Sequence, residues 1–159
     1  MLNKSIWILL LLFSGNAWAD ATDAVVQHVW VGESIPGQNS ATLELNITTV
    51  QPAKLLSVNT DVSDKVEIHS VAQQWGKMST KVVKNLHLPA HHTTAFGTHQ
   101  LFLILVGLKK ELNIGDSIHV SVVIEYSNHR KQTFEVEAPV KKMALSYKHL
   151  GSEPVHDHQ

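Results

Sequence analysis

Apolar and polar residues alternate along much of the chain, which is the period-two pattern of β-strands with one buried face. The clearest example is residues 42–48, where Leu43, Leu45 and Ile47 are separated by polar side chains. The same alternation occurs in residues 25–31, 65–70, 118–126 and 133–140. No segment after the N-terminal one has strong helical periodicity. The pattern therefore predicts an all-β protein.

Residues 101–106 differ from these strands because they form a continuous apolar run. Such a run is typical of a strand that is covered on both faces. Turn-forming residues separate the predicted strands at 35–40, 74–77, 113–116 and 127–130. Short strands with regular turns between them are typical of a β-sandwich or β-barrel.

The N-terminal segment has the features of a secretory signal peptide. Lys4 provides a positive charge, residues 6–13 are apolar, and Ala17-Trp18-Ala19 fits the rule for cleavage after a small residue. The apolar run is too short to span a bilayer, which takes about 20 helical residues. We predict a signal peptide over 1–19, export to the periplasm and no membrane span after cleavage. An uncleaved membrane anchor is the alternative.

The domain organisation follows from where these patterns begin and end. A single β-domain is predicted over residues 20–142, and the alternation stops after Lys142. Residues 143–159 are predicted to form a mostly disordered tail, in which His156 and His158 flank an aspartate.

Composition narrows the function. The chain has 159 residues, a formal net charge of −1 and no cysteine. The near-neutral charge argues against nucleic-acid binding. The lack of cysteine excludes disulfides, thiol catalysis, cysteine-ligated metals and the lipid-bearing cysteine of a bacterial lipoprotein. No nucleophile elbow, phosphate-binding loop or zinc-protease motif is present, so we expect a binding protein and not an enzyme.

Histidine is the unusual component, with 11 residues. His87, His91, His92 and His99 fall close together in the sequence. Imidazole is a frequent ligand of copper and zinc, so this group is a candidate for metal binding. Polar surface histidines without a metal are the alternative reading.

Several ordered segments make the chain similar to the periplasmic PCu(A)C copper chaperones. They are residues 66–69, 76–78, 88–90, 105–108 and 112–116, the last leading into the strand 118–126. The resemblance covers about residues 25–141. It implies a cupredoxin-like, immunoglobulin-like Greek-key β-sandwich. It also implies a protein that binds copper in the periplasm and delivers it to a copper-acceptor protein, or stores it.

The family's Cu(I) ligands are two histidines and two methionines at fixed spacings. The resemblance places the first at His69, and the family spacing puts the other three at Thr80, Phe102 and Ile104. Thr80 offers a hard hydroxyl, whereas Phe102 and Ile104 offer no donor at all. The resemblance therefore implies that the family's Cu(I) site cannot form from these positions.

Two interpretations follow for this degenerate motif. In the first, a displaced site uses His69, Met78, His99, His91 and His92, and prefers Cu(II) or Zn(II) over Cu(I) because imidazole donors dominate. In the second, the protein is a metal-free interaction module, and the apolar surface of Phe102 and Ile104 meets a partner protein.

Overall fold

The computed structural model describes residues 23–97 and 100–143. The predicted signal peptide, the tail beyond residue 143 and His99 lie outside these ranges. Within them the secondary structure consists of strands, which confirms the all-β prediction. The strands are β1 (Ala24–Gly32), β2 (Ser40–Thr49), β3 (Ala53–Thr60), β4 (Ser63–Gln74), β5 (Lys77–Val83), β6 (Leu86–Leu88), β7 (Thr93–Phe96), β8 (Leu101–Leu108), β9 (Ser117–Tyr126) and β10 (Lys131–Lys141).

The alternation in the sequence matches the burial of the strands. In β2, every second residue is buried, and Leu43, Leu45 and Ile47 each expose 1% or less of their surface. β9 follows the same rule from Ile118 to Tyr126. Burial of these branched and aromatic side chains is the main source of stability in such a fold.

The strands form two layers around one core. The order β5-β4-β8-β2-β1 makes one layer, with β7 also pairing to β2, and β10-β9-β3-β6 makes the other. The layers are joined where β1 pairs in parallel with β10 at Val31 and Val140. Buried side chains from both layers belong to a single cluster. Neighbouring strands are often distant in sequence, as in the Greek-key sandwich that was predicted.

The apolar run at 101–106 corrects one expectation. β8 was predicted to be covered on both faces, but only Leu103 and Leu105 are fully buried. Phe102, Ile104 and Val106 alternate with them and remain partly exposed on the outer face of the layer. The apolar residues of this outer face therefore do not belong to the core.

The predicted turn at 74–77 is a tight hairpin between β4 and β5. Trp75 and Gly76 both have positive φ, at 53° and 74°, which is the backbone of a two-residue hairpin turn with the right-handed twist of its strands. The described residues include no helix with the length and apolarity needed to cross a bilayer.

Candidate metal centre

His69 lies on the outer face of the first layer, in a strand flanked on both sides. It pairs with Val82 of β5 and with Phe102 of β8, so the three side chains stand in one row. Directly paired residues have Cα atoms about 5 Å apart. Ile68 beside it is buried, whereas the His69 side chain keeps 24% of its surface exposed. The alternation of β4 therefore turns the imidazole towards solvent.

The three other positions that the resemblance assigns to the PCu(A)C motif lie around His69. Phe102 is directly opposite, and Ile104 is opposite Glu67. Thr80 is opposite Val71 on the other neighbouring strand. Diagonal positions of this kind are about 7–8 Å away. The positions that the resemblance assigns to the motif are thus neighbours in the sheet, and Thr80, Phe102 and Ile104 do not supply the imidazole and two thioethers of a Cu(I) site.

A carboxylate orients His69. The imidazole Nε2 is 2.9 Å from Oε2 of Glu67, which is two residues away on the same face. Glu67 also pairs with Lys65, whose Nζ lies 2.5 Å from Oε1. The hydrogen bond from Lys65, followed by that from His69, lowers the pKa of Glu67 below its ordinary value. Glu67 is therefore ionised at neutral pH and is an acceptor for a proton on Nε2; in the neutral tautomer that donates this bond, Nδ1 has the lone pair that a metal ion needs.

Glu67 was not among the predicted site residues. The signal that identifies it is its position, because residues i and i+2 of a strand share a face. A carboxylate two residues from a surface histidine on one strand is therefore a candidate hydrogen-bond partner.

Met78 shares the outer face with His69 but lies far along the ribbon. It pairs with Gln73, four residues beyond His69 on β4, which corresponds to about 13 Å. Its side chain is 60% exposed. The structure does not bring Met78 and His69 together.

His91 and His92 follow β6 at another part of the domain. The amide of His91 donates to the carbonyl of Thr49, 2.7 Å away, and both histidines are exposed. Thr49 is six residues along β2 from Leu43. Leu43 pairs with Leu103 of β8, and Leu103 pairs on its other side with Ile68, the neighbour of His69. The separation is about 20 Å along the sheet. Among the described residues, no group of three or more His, Cys, Asp or Glu side chains is arranged to hold a metal.

The chain enters β8 beside the row of His69. Gly97 has a φ of +101°, and the amide of Val71 donates to the carbonyl of Gln100 at 2.7 Å. Glu44 of β2 packs against Gly97 where a Cβ atom would lie. Burial raises the pKa of Glu44, and a hydrogen bond from Trp30 partly opposes that rise. His99 itself lies outside the described residues.

The fold and the motif positions define a cupredoxin-like β-sandwich of the PCu(A)C type. The chain belongs to the LpqE-like lipoprotein family, whose model matches residues 24–140. No curated protein sequence is significantly similar to the chain.

Solved structures agree with this assignment. The copper-bound PCuAC domain of PmoF2 is 16% identical, covers 76% of this chain and 94% of its own, and has a TM-score of 0.60. The Cu(I) form of DR1885 from Deinococcus radiodurans is 26% identical, with coverages of 79% and 83% and a TM-score of 0.58. The apo PCuAC domain of PmoF1 is 18% identical, with coverages of 76% and 95% and a TM-score of 0.59. The predicted resemblance and fold class are confirmed.

Proposed function

We propose that this protein binds copper in the periplasm and delivers or stores it through a site centred on His69. The observation that carries the proposal is the pairing of His69 with Glu67 at the position where the PCu(A)C resemblance places a copper ligand. Histidines that ligate metals commonly donate their other ring proton to a carboxylate, which fixes the tautomer and the direction of the lone pair. Similarity to domains whose structures contain copper supports the same function.

The second donor in this proposal is His99. It directly precedes Gln100, whose carbonyl accepts a hydrogen bond from Val71, two residues from His69 on β4. Met78, His91 and His92 are too distant along the sheet to complete this site.

This donor set favours Cu(II) or Zn(II). Imidazole and carboxylate groups suit these ions, whereas thioethers, which favour Cu(I), are missing at the motif positions. We also propose that residues 1–19 direct export, that a periplasmic acceptor receives the metal, and that the protein binds its cargo without catalysing a reaction.

A Cu(II) titration of the purified protein tests the proposal. We expect stoichiometric binding that weakens at least about tenfold in His69→Ala and in His99→Ala, and weakens again below the imidazole pKa of about 6.5. His87→Ala is the matched control, because His87 is an exposed strand histidine away from the row. The residue 144–159 segment is deleted in all variants, so that its histidines do not mask the loss.

The same titration decides against the proposal if the parent binds no Cu(II), or if the double variant His69→Ala, His99→Ala binds as tightly as the parent. The metal-free interaction module is then the better reading. The partly exposed Phe102 and Ile104, which stand beside His69 in place of ligands, favour that second candidate.

A further inference from the structure

The tip of the β4–β5 hairpin presents an unusual side chain to solvent. Trp75 is 100% exposed, although tryptophan is among the side chains that gain most from burial. Its φ of 53° lies in the left-handed region, where bulky residues are rare and where hairpins normally use Asn, Asp or Gly. The chain therefore has a fully exposed tryptophan at a strained turn position where a smaller residue would stabilise the turn, and such outliers point to function.

The hairpin projects beyond the sheet. β8 pairs with β4 only as far as Ser70, and β5 is the edge strand of its layer. From Lys77 to Val82, every residue of β5 is exposed, including Met78. The distal half of the hairpin is thus a two-stranded ribbon that is exposed on both faces and ends in Trp75.

The ribbon is also positively charged in a protein whose net charge is −1. Lys77 follows the tip by two residues, or about 7 Å, Lys81 lies farther along β5, and Lys84 directly follows the end of that strand. All three are exposed, and the sequence has no Asp or Glu between Glu67 and Glu111. The ribbon therefore carries lysines along one edge behind an apolar tip.

We propose that this hairpin docks the protein on anionic phospholipid bilayers, with Trp75 at headgroup depth and the lysines against the lipid phosphates. Tryptophan is enriched at membrane interfaces because its ring is apolar and its indole N–H remains hydrated. Lysines next to such an anchor gain from the negative surface potential of the bilayer. One tryptophan side chain buries about 150–250 Å², whereas a stable protein interface buries roughly 800 Å² per partner. A bilayer is therefore the better fit, because the side chain needs no complementary pocket there.

The test is co-sedimentation with vesicles of phosphatidylcholine mixed with phosphatidylglycerol, compared with phosphatidylcholine alone. The full chain is purified from the compartment to which it is exported, so that every variant has the same N-terminus. We expect binding to the mixed vesicles at low ionic strength and release as salt rises. Trp75→Ala should lower the partition coefficient about tenfold or more. Replacing Lys77, Lys81 and Lys84 with glutamine should lower the partition coefficient by about fivefold per lysine.

Two controls separate the tip from general surface effects. Ile35→Ala removes another apolar side chain, 71% exposed, from a loop outside the hairpin and should leave binding unchanged. Glutamine at Lys54, Lys131 and Lys141 removes the same charge elsewhere and should have a smaller effect. The proposal is wrong if the parent does not bind the mixed vesicles, or if Trp75→Ala binds as tightly as the parent. If the parent does not bind vesicles and Trp75→Ala loses binding to a protein partner, the tip makes a protein contact and the proposal is wrong. This inference does not depend on copper binding, because the vesicle assay contains no metal.

Discussion

Replacing Gly97 with alanine is expected to destabilise the domain for two separable reasons. The φ of +101° at Gly97 is readily adopted only by glycine. A Cβ atom there would also overlap the side chain of Glu44, which extends from β2 over Gly97. The first reason concerns the backbone of residue 97 itself, and the second concerns its neighbour.

The two contributions have similar magnitudes. A non-glycine residue in such a backbone conformation costs about 1–3 kcal/mol. Overlap with a packed side chain adds about 1–3 kcal/mol when the neighbour has to move. We expect Gly97→Ala to lower the free energy of unfolding by roughly 2–6 kcal/mol, which is a large part of the stability of an ordinary domain.

The assay is urea denaturation of Gly97→Ala beside Gly115→Ala. Gly115 has a similar φ of +95°, but nothing lies within 4 Å of its added Cβ, so this variant reports the backbone contribution alone. Glu44→Ala is then combined with Gly97→Ala in a double-mutant cycle. Removal of the Glu44 side chain should restore about 0.5–3 kcal/mol to the alanine variant.

Equal losses in Gly97→Ala and Gly115→Ala would refute the packing contribution. A cycle without coupling between residues 44 and 97 would show that Glu44 does not restrict this turn. In either case Glu44 would no longer explain why a glycine stands at the entrance to β8.

Three further outcomes follow from the geometry. The combination Thr80→Met, Phe102→His and Ile104→Met should create Cu(I) binding that the parent lacks, because these positions surround His69. Competition with a chromophoric Cu(I) chelator measures this binding. No gain in Cu(I) affinity would mean that the motif geometry is not met. Hydrogen bonds to two glutamates of β10, mainly Glu137 and also Glu135, raise the pKa of His119. The charged His119 therefore contributes its full stabilisation below about pH 6.5, and this stabilisation is lost as pH rises through the raised pKa. The destabilisation by His119→Gln should therefore be larger at about pH 5.5 than at about pH 8.5 in thermal melts. Leu103→Ala should lower the free energy of unfolding by about 3–5 kcal/mol in urea, because Leu103 is fully buried, and a loss below about 1 kcal/mol would contradict this core assignment.

The sequence predicted the strands that have one buried face. β2 and β9 keep strict alternation because one side of each meets the core and the other meets solvent. β3 escaped prediction because a register shift between Leu55 and Ser57 interrupts its alternation. β5 escaped for the opposite reason, since an exposed edge strand has no buried face to impose a pattern.

Spacing along the chain indicated less about the site than about the fold. The resemblance to the PCu(A)C family supplied the spacing that implied Thr80, Phe102 and Ile104 as neighbours of His69, and the strand register places them there. The spacing did not reveal that Met78 is about 13 Å from His69, since residues on one face can still be far apart along a strand. The predictions for the signal peptide, His99 and the tail concern residues outside the described ranges and stay predictions.

The parallel pairing of β1 with β10 delays folding until synthesis of the domain is nearly complete. The two strands lie at opposite ends of the domain, so their contact closes a loop of about 110 residues, and contacts of this kind slow the folding of β-proteins. At typical rates of synthesis, roughly 5–20 s pass between the appearance of β1 and that of β10. During that interval Val31 lacks its final partner, and the core of the first layer has nothing to cover one end. A chain with this topology therefore cannot complete its fold until β10 has been made.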